Sequence, residues 1–129
     1  MKVNKIEIEK LLSLSPIERY RYFIKRVADS ERIFILLNLY NEYALSEVDN
    51  NILFPLWSAK EYAELCLVSG WENFSIKEIS LETFENSIID FLNEKNILLN
   101  VFPVNDKIGF VVDLNEFALD LHEELKKYW

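Results

Sequence analysis

Apolar residues recur at helical spacing after a strong start signal near residue 15. Ser15-Pro16-Ile17-Glu18 combines the serine and glutamate of a capping box with a proline in the first helical turn. At about 100° per residue, one arc of this helix is apolar and the opposite arc is basic. The apolar arc predicts the core-facing side, formed by Ile17, Tyr20, Phe23, Ile24, Val27 and Ala28. The polar arc holds Arg19, Arg21, Tyr22, Lys25 and Arg26.

The next segments have patterns that are typical of extended chain. Residues 32–38 are rich in β-forming and apolar side chains, which predicts a buried strand. Residues 42–47 are a candidate to pair with that strand, and residues 52–54 predict a third strand after an Asp-Asn-Asn turn at 49–51. Because the connections are short, these three segments predict an antiparallel meander.

The second half of the chain mixes helical and extended patterns. Residues 58–61 form another capping box, which predicts a helix ending near Gly70. Residues 71–79 indicate a strand, and Ser80 caps a further amphipathic helix. Residues 97–104 and 108–112 predict a hairpin with its turn at 105–107, and a helix at 114–128 follows. With a short first helix at 4–13, the predicted fold class is α+β: a mixed, mainly antiparallel sheet of five to six strands with three to five helices packed against it.

Composition narrows the function classes. A length of 129 residues with two glycines and three prolines predicts one domain over residues 1–129. The single cysteine, Cys66, excludes an internal disulfide and a multi-thiolate metal site. Gly70 and Gly109 are too far apart for a phosphate-binding loop, so we expect no cofactor. With one histidine, one cysteine and no calcium-loop motif, we expect no metal. Charges interrupt any secretory signal and no apolar run is long enough to cross a bilayer, so we expect a cytoplasmic protein without membrane contact.

The net charge of −8 argues against a nucleic-acid partner, which attracts positive surfaces. The charge is uneven, since residues 1–32 carry +3 and the remainder carries −11. The last helix concentrates carboxylates on one face, and such a face is usually only solvated. The alternative is an acidic docking face for a basic partner, formed by Glu116, Asp120, Glu123 and Glu124.

Three segments together resemble a known protein family. They are RYRYFIKRVAD at 19–29, then FPLW at 54–57 with EYAELC at 61–66 and Trp71, then VFP at 101–103 with GFVV at 109–112. The set resembles the DUF2750 family of bacterial proteins, a domain of unknown function, over most of the chain. Ser58 stands where the family pattern has a proline. The resemblance implies a small single-domain bacterial protein and carries over no activity and no catalytic residue.

The remaining candidate residues each have a plain structural interpretation beside a functional one. One predicted helix is bracketed by three aromatic residues, Trp57, Tyr62 and Trp71. They form either a satellite core or the rim of a small-ligand pocket. In the second case Arg19, Lys25 or Arg26 would supply positive charge, and Tyr22 would lie nearby. His122 is expected at the surface, and Cys66 is expected as a small buried apolar residue. We identify no catalytic residue.

Three function classes follow from these observations. The favoured hypothesis is a non-enzymatic interaction or regulatory module, including an immunity- or antitoxin-like version that docks a basic partner. The second is a small-ligand binding or sensing domain built on the aromatic pocket. An enzyme is the least favoured hypothesis, and a homodimer through an edge strand stays open.

Overall fold

The computed structural model describes residues 2–68, 70–105 and 107–129. Two helices come first, α1 (Lys5–Leu12) and α2 (Pro16–Ser30), and strands β1 (Arg32–Leu37), β2 (Ser46–Val48) and β3 (Asn51–Leu56) follow. After α3 (Lys60–Glu64) and β4 (Ser75–Ser80), a segmented helix runs through α4 (Leu81–Thr83), a π-helical turn (Phe84–Ile88) and α5 (Ile89–Glu94). The chain continues with β5 (Leu98–Val101), β6 (Phe110–Val112), α6 (Leu114–Leu125) and a 3-10 turn (Lys126–Tyr128).

The capping residues explain where several helices begin. The Ser15 amide donates to Glu18 Oε1 at 2.9 Å, and the Glu18 amide donates to Ser15 Oγ at 3.4 Å, so the predicted capping box is present. These hydrogen bonds lower the pKa of the Glu18 carboxyl. Asp113 caps α6 by accepting from the Glu116 amide, and Ser80 caps α4 by accepting from the Thr83 amide.

The strands form two sheets, and the predicted α+β class is confirmed. One sheet pairs β1 with β4 in antiparallel register, and the other has the order β2-β3-β5-β6. Within the second sheet β3 and β5 are parallel and the other pairs are antiparallel. The backbones of Phe34 and Trp57 exchange two hydrogen bonds of 2.9 Å, which join the two sheets.

The core lies between the sheets, α2, the segmented helix and α6. Rings bridge these layers: Tyr20 meets Phe110 at 4.7 Å between centroids, and Phe117 meets Phe23 at 6.1 Å and Phe84 at 6.0 Å. The apolar arc of α2 is buried from Tyr20 to Ala28, as its spacing predicts. No described helix combines the length and the apolar character that crossing a bilayer requires.

The predicted antiparallel meander is wrong. β1 pairs along its length with β4, whereas residues 42–47 reach it only through one bridge between Leu37 and Tyr43 and two neighbouring backbone bonds. β2 pairs with β3 instead, across the turn predicted at 49–51, where Asp49 and Asn50 have positive φ. A local turn signal does not indicate which distant strand pairs with a given strand, so the sequence pattern could not distinguish these pairings.

The predicted capping box at residues 58–61 is also wrong. Ala59 is the N-cap residue of α3, it has no side chain to cap with, and the helix ends at Glu64 rather than near Gly70. Ser58 lies one position too early, and its hydroxyl is buried without a hydrogen-bond partner among the described residues. The hairpin after β5 is present, although Asp106 of its turn lies outside the described residues.

Candidate functional site

The aromatic residues that were candidates for a pocket rim lie mostly inside the core. Trp57 is 0% exposed, and its indole Nε1 donates to the Pro103 carbonyl at 2.9 Å. Tyr62 is buried, with its ring 4.6 Å from that of Phe102. Trp71 is half-buried and meets Trp57 edge to face at 6.2 Å. The satellite-core interpretation therefore describes Trp57 and Tyr62.

Arg19 does not belong to an exposed basic face, although its helical position placed it on the polar arc. Its side chain is only 4% exposed. The guanidinium donates to the Phe102 carbonyl at 3.2 Å and to the Leu14 carbonyl at 2.6 Å. Burial lowers the pKa of this group. A charged group satisfied by two carbonyls is a structural tie between α2 and the chain after β5.

The other residues of the basic arc lie closer to solvent. Tyr22 is half-buried, and its hydroxyl oxygen is 3.4 Å from that of Tyr62. Burial and this hydroxyl pair raise the pKa of Tyr62. Arg26 lies 3.9 Å from the Asp29 carboxylate, and Lys25 is exposed. The structure therefore brings Tyr22 and Arg26 to one surface region and separates them from Arg19.

The carboxylates of α6 are partly compensated. Asp120 accepts from the Tyr20 hydroxyl at 2.6 Å, and burial together with this bond raises the pKa of Tyr20. Glu123 and Glu124 lie 3.6 and 3.1 Å from lysine amines one turn later. Glu116 is exposed and has no ion pair with a described residue. The predicted acidic docking face thus presents less free charge than its sequence indicates.

An apolar groove runs between the segmented helix and α6. Its volume is about 630 Å³, and the π-helical turn supplies part of its wall. π-helical turns inside longer helices are frequent at functional sites. Leu119 stands at the groove and is 66% exposed, so it extends the apolar lining into an exposed apolar patch. The apolar side chains of the groove include Leu81, Phe84, Ile89, Ala118, Leu119 and Leu125.

Polar groups stand among the apolar lining of the groove. Glu85, Asn115 and His122 line it. Trp129, at the end of the chain, is 80% exposed and meets the His122 imidazole edge to face at 5.4 Å. An exposed tryptophan beside an apolar groove is typical of a contact surface, because its ring supplies a large rigid area.

A second cavity, of about 600 Å³, lies beside the C-terminal half of α2 and has a charged lining. Four basic residues line it, namely Lys2, Arg26, Arg32 and Lys60. Three acidic residues line it as well, namely Asp29, Glu61 and Glu78. Tyr22, Phe34 and Ser58 also reach its wall. The cavity therefore contains two residues of the predicted ligand site, Tyr22 and Arg26, in surroundings that the sequence did not indicate.

The chain matches a known protein family. The family model described as "Protein of unknown function (DUF2750)" matches residues 20–121 of the 129-residue chain. This chain belongs to the DUF2750 family. No curated protein matches it.

The segments that carry the DUF2750 resemblance meet at one turn of the chain. Phe102 has a left-handed backbone with φ of 62°, which is rare for a bulky residue, and it is fully buried. Its amide donates to the Leu56 carbonyl at 2.9 Å, and its carbonyl accepts from Arg19. The next carbonyl, of Pro103, accepts from Trp57 Nε1 and from Cys66 Sγ at 3.3 Å. We call these contacts the turn brace.

Cys66 and Gly109 complete this DUF2750 arrangement. Burial raises the pKa of the Cys66 thiol to about 11, which keeps it protonated and unreactive near neutral pH. A Cβ atom on Gly109 would lie 2.2 Å from the Val101 carbonyl oxygen, so only glycine fits beside the turn. Of the motif residues, Arg19, Trp57, Cys66 and Gly109 therefore have structural roles at this turn.

Sequence reasoning missed most residues of the groove and the charged cavity. Leu119 falls outside the main apolar stripe of α6, and this misplaced leucine was the one available signal for the groove. Arg32, Ser58 and Lys60 come from different segments, and no local spacing joins them. His122 is exposed, as expected, but its sequence position did not indicate the groove that it lines.

Proposed function

We propose that this DUF2750 protein is an interaction module that binds a basic, amphipathic helix of a protein partner in the groove between the segmented helix and α6. The single observation that carries this proposal is an apolar groove walled by two acidic helices. A helix that lays its apolar face into such a groove is a recurring mode of recognition. The acidic docking hypothesis also expects a basic partner, but it places that partner on the carboxylate face of α6 and not in the groove.

The apolar part of the argument rests on exposure. Leu119 and Trp129 stand largely in solvent beside a groove of about 630 Å³. Exposed apolar groups that cluster with a concave lining mark interaction sites more often than single exposed residues do. Covering Leu119 and the lining beneath it removes apolar surface from water, which favours association.

The charge part of the argument rests on composition and pairing. Residues 81–94 and residues 114–125 each contain four carboxylates and neither contains lysine or arginine. Those of residues 81–94, together with Glu116, form no ion pair with a described residue. Glu85 is the carboxylate among the described lining residues, so lysines on a partner helix would meet negative potential mainly from the segmented helix, which speeds association and orients the helix.

A binding experiment with a defined probe tests the proposal. The probe is a fluorescein-labelled model helix of leucine and lysine, with leucines at i, i+3 and i+4 spacing, and its anisotropy is followed at low salt. We expect saturable binding with one helix per protein. Leu119→Asp should weaken it by about tenfold or more, because a carboxylate then faces the apolar side of the probe. Glu85→Lys should weaken it by about threefold and reduce its salt dependence.

Matched variants distinguish the groove from general acidity. Leu39 is 90% exposed and Glu47 is exposed, and both lie outside the groove, so Leu39→Asp and Glu47→Lys repeat the same chemical changes elsewhere. These controls should bind like the wild type. Equal binding by Leu119→Asp and Leu39→Asp would overturn the proposal.

The same variants give meaning to a search for the cellular partner. A protein captured at low salt supports the proposal only when Leu119→Asp loses it, Leu39→Asp retains it and high salt releases it. A basic toxin captured in this way would establish the immunity-like version. A dimer in sedimentation equilibrium that Leu119→Asp dissociates would instead show that a second copy occupies the groove.

A further inference from the structure

We infer that the charged cavity beside the C-terminal half of α2 binds a small organic anion through Arg32 and Lys60, with Arg26 at its wall. This inference concerns a surface that shares no residue with the groove and does not rest on the proposed partner. The ligand class is a compact metabolite that carries a phosphate or carboxylate group on an apolar or aromatic body.

Basic groups from separate parts of the chain converge on this cavity. Lys2 precedes α1, Arg26 is on α2, Arg32 begins β1 and Lys60 begins α3. With three acidic residues beside them, the lining keeps one more basic than acidic residue, in a chain whose net charge is −8. A bound anion would balance that excess.

The acidic residues of the lining only partly cancel these charges. Glu78 lies 3.6 Å from Arg32, which exceeds the separation of a close charge-assisted hydrogen bond, about 2.8 Å. Lys60 forms no ion pair with a described residue. The Arg32 guanidinium and the Lys60 amine can therefore turn toward a ligand at little cost.

The uncharged residues of the lining indicate the chemistry of the rest of the ligand, beyond its anionic group. Tyr22 and Phe34 present ring surface, which suits an apolar or aromatic body. Ser58 lines the same cavity, and its buried hydroxyl has no hydrogen-bond partner among the described residues. The hydroxyl itself is enclosed, so a ligand oxygen becomes its partner only when the Ser58 side chain turns toward the cavity. A volume of about 600 Å³ is within the range of small-metabolite sites.

Nuclear magnetic resonance titration with three probes tests this inference. Inorganic phosphate, adenosine monophosphate and citrate are each added to ¹⁵N-labelled protein at low salt. We expect at least one probe to saturate in the low millimolar range or tighter, with amide shifts centred on residues 30–34 and 58–61. Phosphate and citrate distinguish the two anionic groups, and adenosine monophosphate shows whether an aromatic body adds affinity.

Charge variants make the result specific. Lys60→Gln and Arg32→Gln should each weaken binding by about tenfold. Lys95→Gln, the same change at an exposed lysine outside the cavity, should bind like the wild type. Glu78→Gln should strengthen binding by about twofold to threefold, because it frees Arg32 from its carboxylate. No saturable shift up to about 10 mM, or binding that Lys60→Gln and Arg32→Gln leave unchanged, would overturn the inference.

Discussion

Replacing Gly109 with alanine should destabilise the protein more than any ordinary glycine substitution. The added Cβ would lie 2.2 Å from the Val101 carbonyl oxygen and 2.8 Å from backbone atoms of Phe102 and Pro103. All three neighbours are backbone atoms, so no side chain can rotate away to make room. The chain must move either Gly109 or β5, and β5 is held between β3 and β6.

The magnitude follows from two losses. Inserting a methyl group against packed atoms costs about 1–3 kcal/mol in the free energy of unfolding. Moving Gly109 also breaks the bond of 2.7 Å that its amide donates to Asn100 Oδ1, and Asn100 is buried. Leaving that oxygen without a donor costs about 1–3 kcal/mol more. We therefore expect a total loss of about 2–6 kcal/mol.

The other glycine provides a matched control. Gly70 has φ of +91°, and a Cβ atom added there would have no other atom within 4 Å, so alanine meets backbone strain but no clash. Its expected cost is about 1–2 kcal/mol. Urea unfolding followed by tryptophan fluorescence, to which the buried Trp57 contributes, measures the cost of both substitutions. With a slope of about 2 kcal/mol per M, the midpoint should fall by about 1–3 M for Gly109→Ala and by about 0.5–1 M for Gly70→Ala. Equal falls for the two variants would refute the steric argument.

Two further predictions concern buried groups. The Cys66 thiol has a pKa raised from 9.0 to about 11, so the unfolded chain loses its proton first. The free energy of unfolding of the wild type, measured relative to that of Cys66→Ala, should be constant below pH 9 and should fall by about 2–3 kcal/mol as pH rises to 11. A difference between the two proteins that does not change with pH would contradict this prediction. Ser58→Ala removes a buried hydroxyl without a described partner and should leave stability in urea unchanged or raise it by about 1 kcal/mol, whereas a loss of that size would show an essential bond.

Local signals predicted the local features of this fold. The start of α2, the turn before β3, the cap of α4 and the hairpin after β5 each depend on residues a few positions apart. The pairing of β1 with β4 joins residues as distant in the chain as Arg32 and Ser80, and no short motif encodes it. The predicted cap at Ser58 shows the limit of the local signal. The backbone of the preceding residue, Trp57, is hydrogen-bonded to that of Phe34, and α3 begins one residue later than the capping motif predicts.

Site residues were harder to predict for a different reason. Arg19 fell on the polar arc of α2 by its angle, but a buried carbonyl of Phe102 lies within reach of its long side chain. A helical angle describes where a side chain starts and not where its charged end finds partners. The charged cavity draws Arg32 and Lys60 from two segments that the sequence leaves unrelated, so only the folded chain brings them together.

The turn brace determines which substitutions can test function at all. Trp57→Ala would remove a fully buried side chain and the bond to Pro103, so lost binding in that variant would report unfolding rather than a ligand site. The exposed residues Leu119, Arg32 and Lys60 take no part in the brace, and each can change while the core stays intact. Because the groove and the cavity share no lining residue, variants of one surface also serve as folded controls for the other. Loss of both activities in a single surface variant would mean that the variant no longer folds.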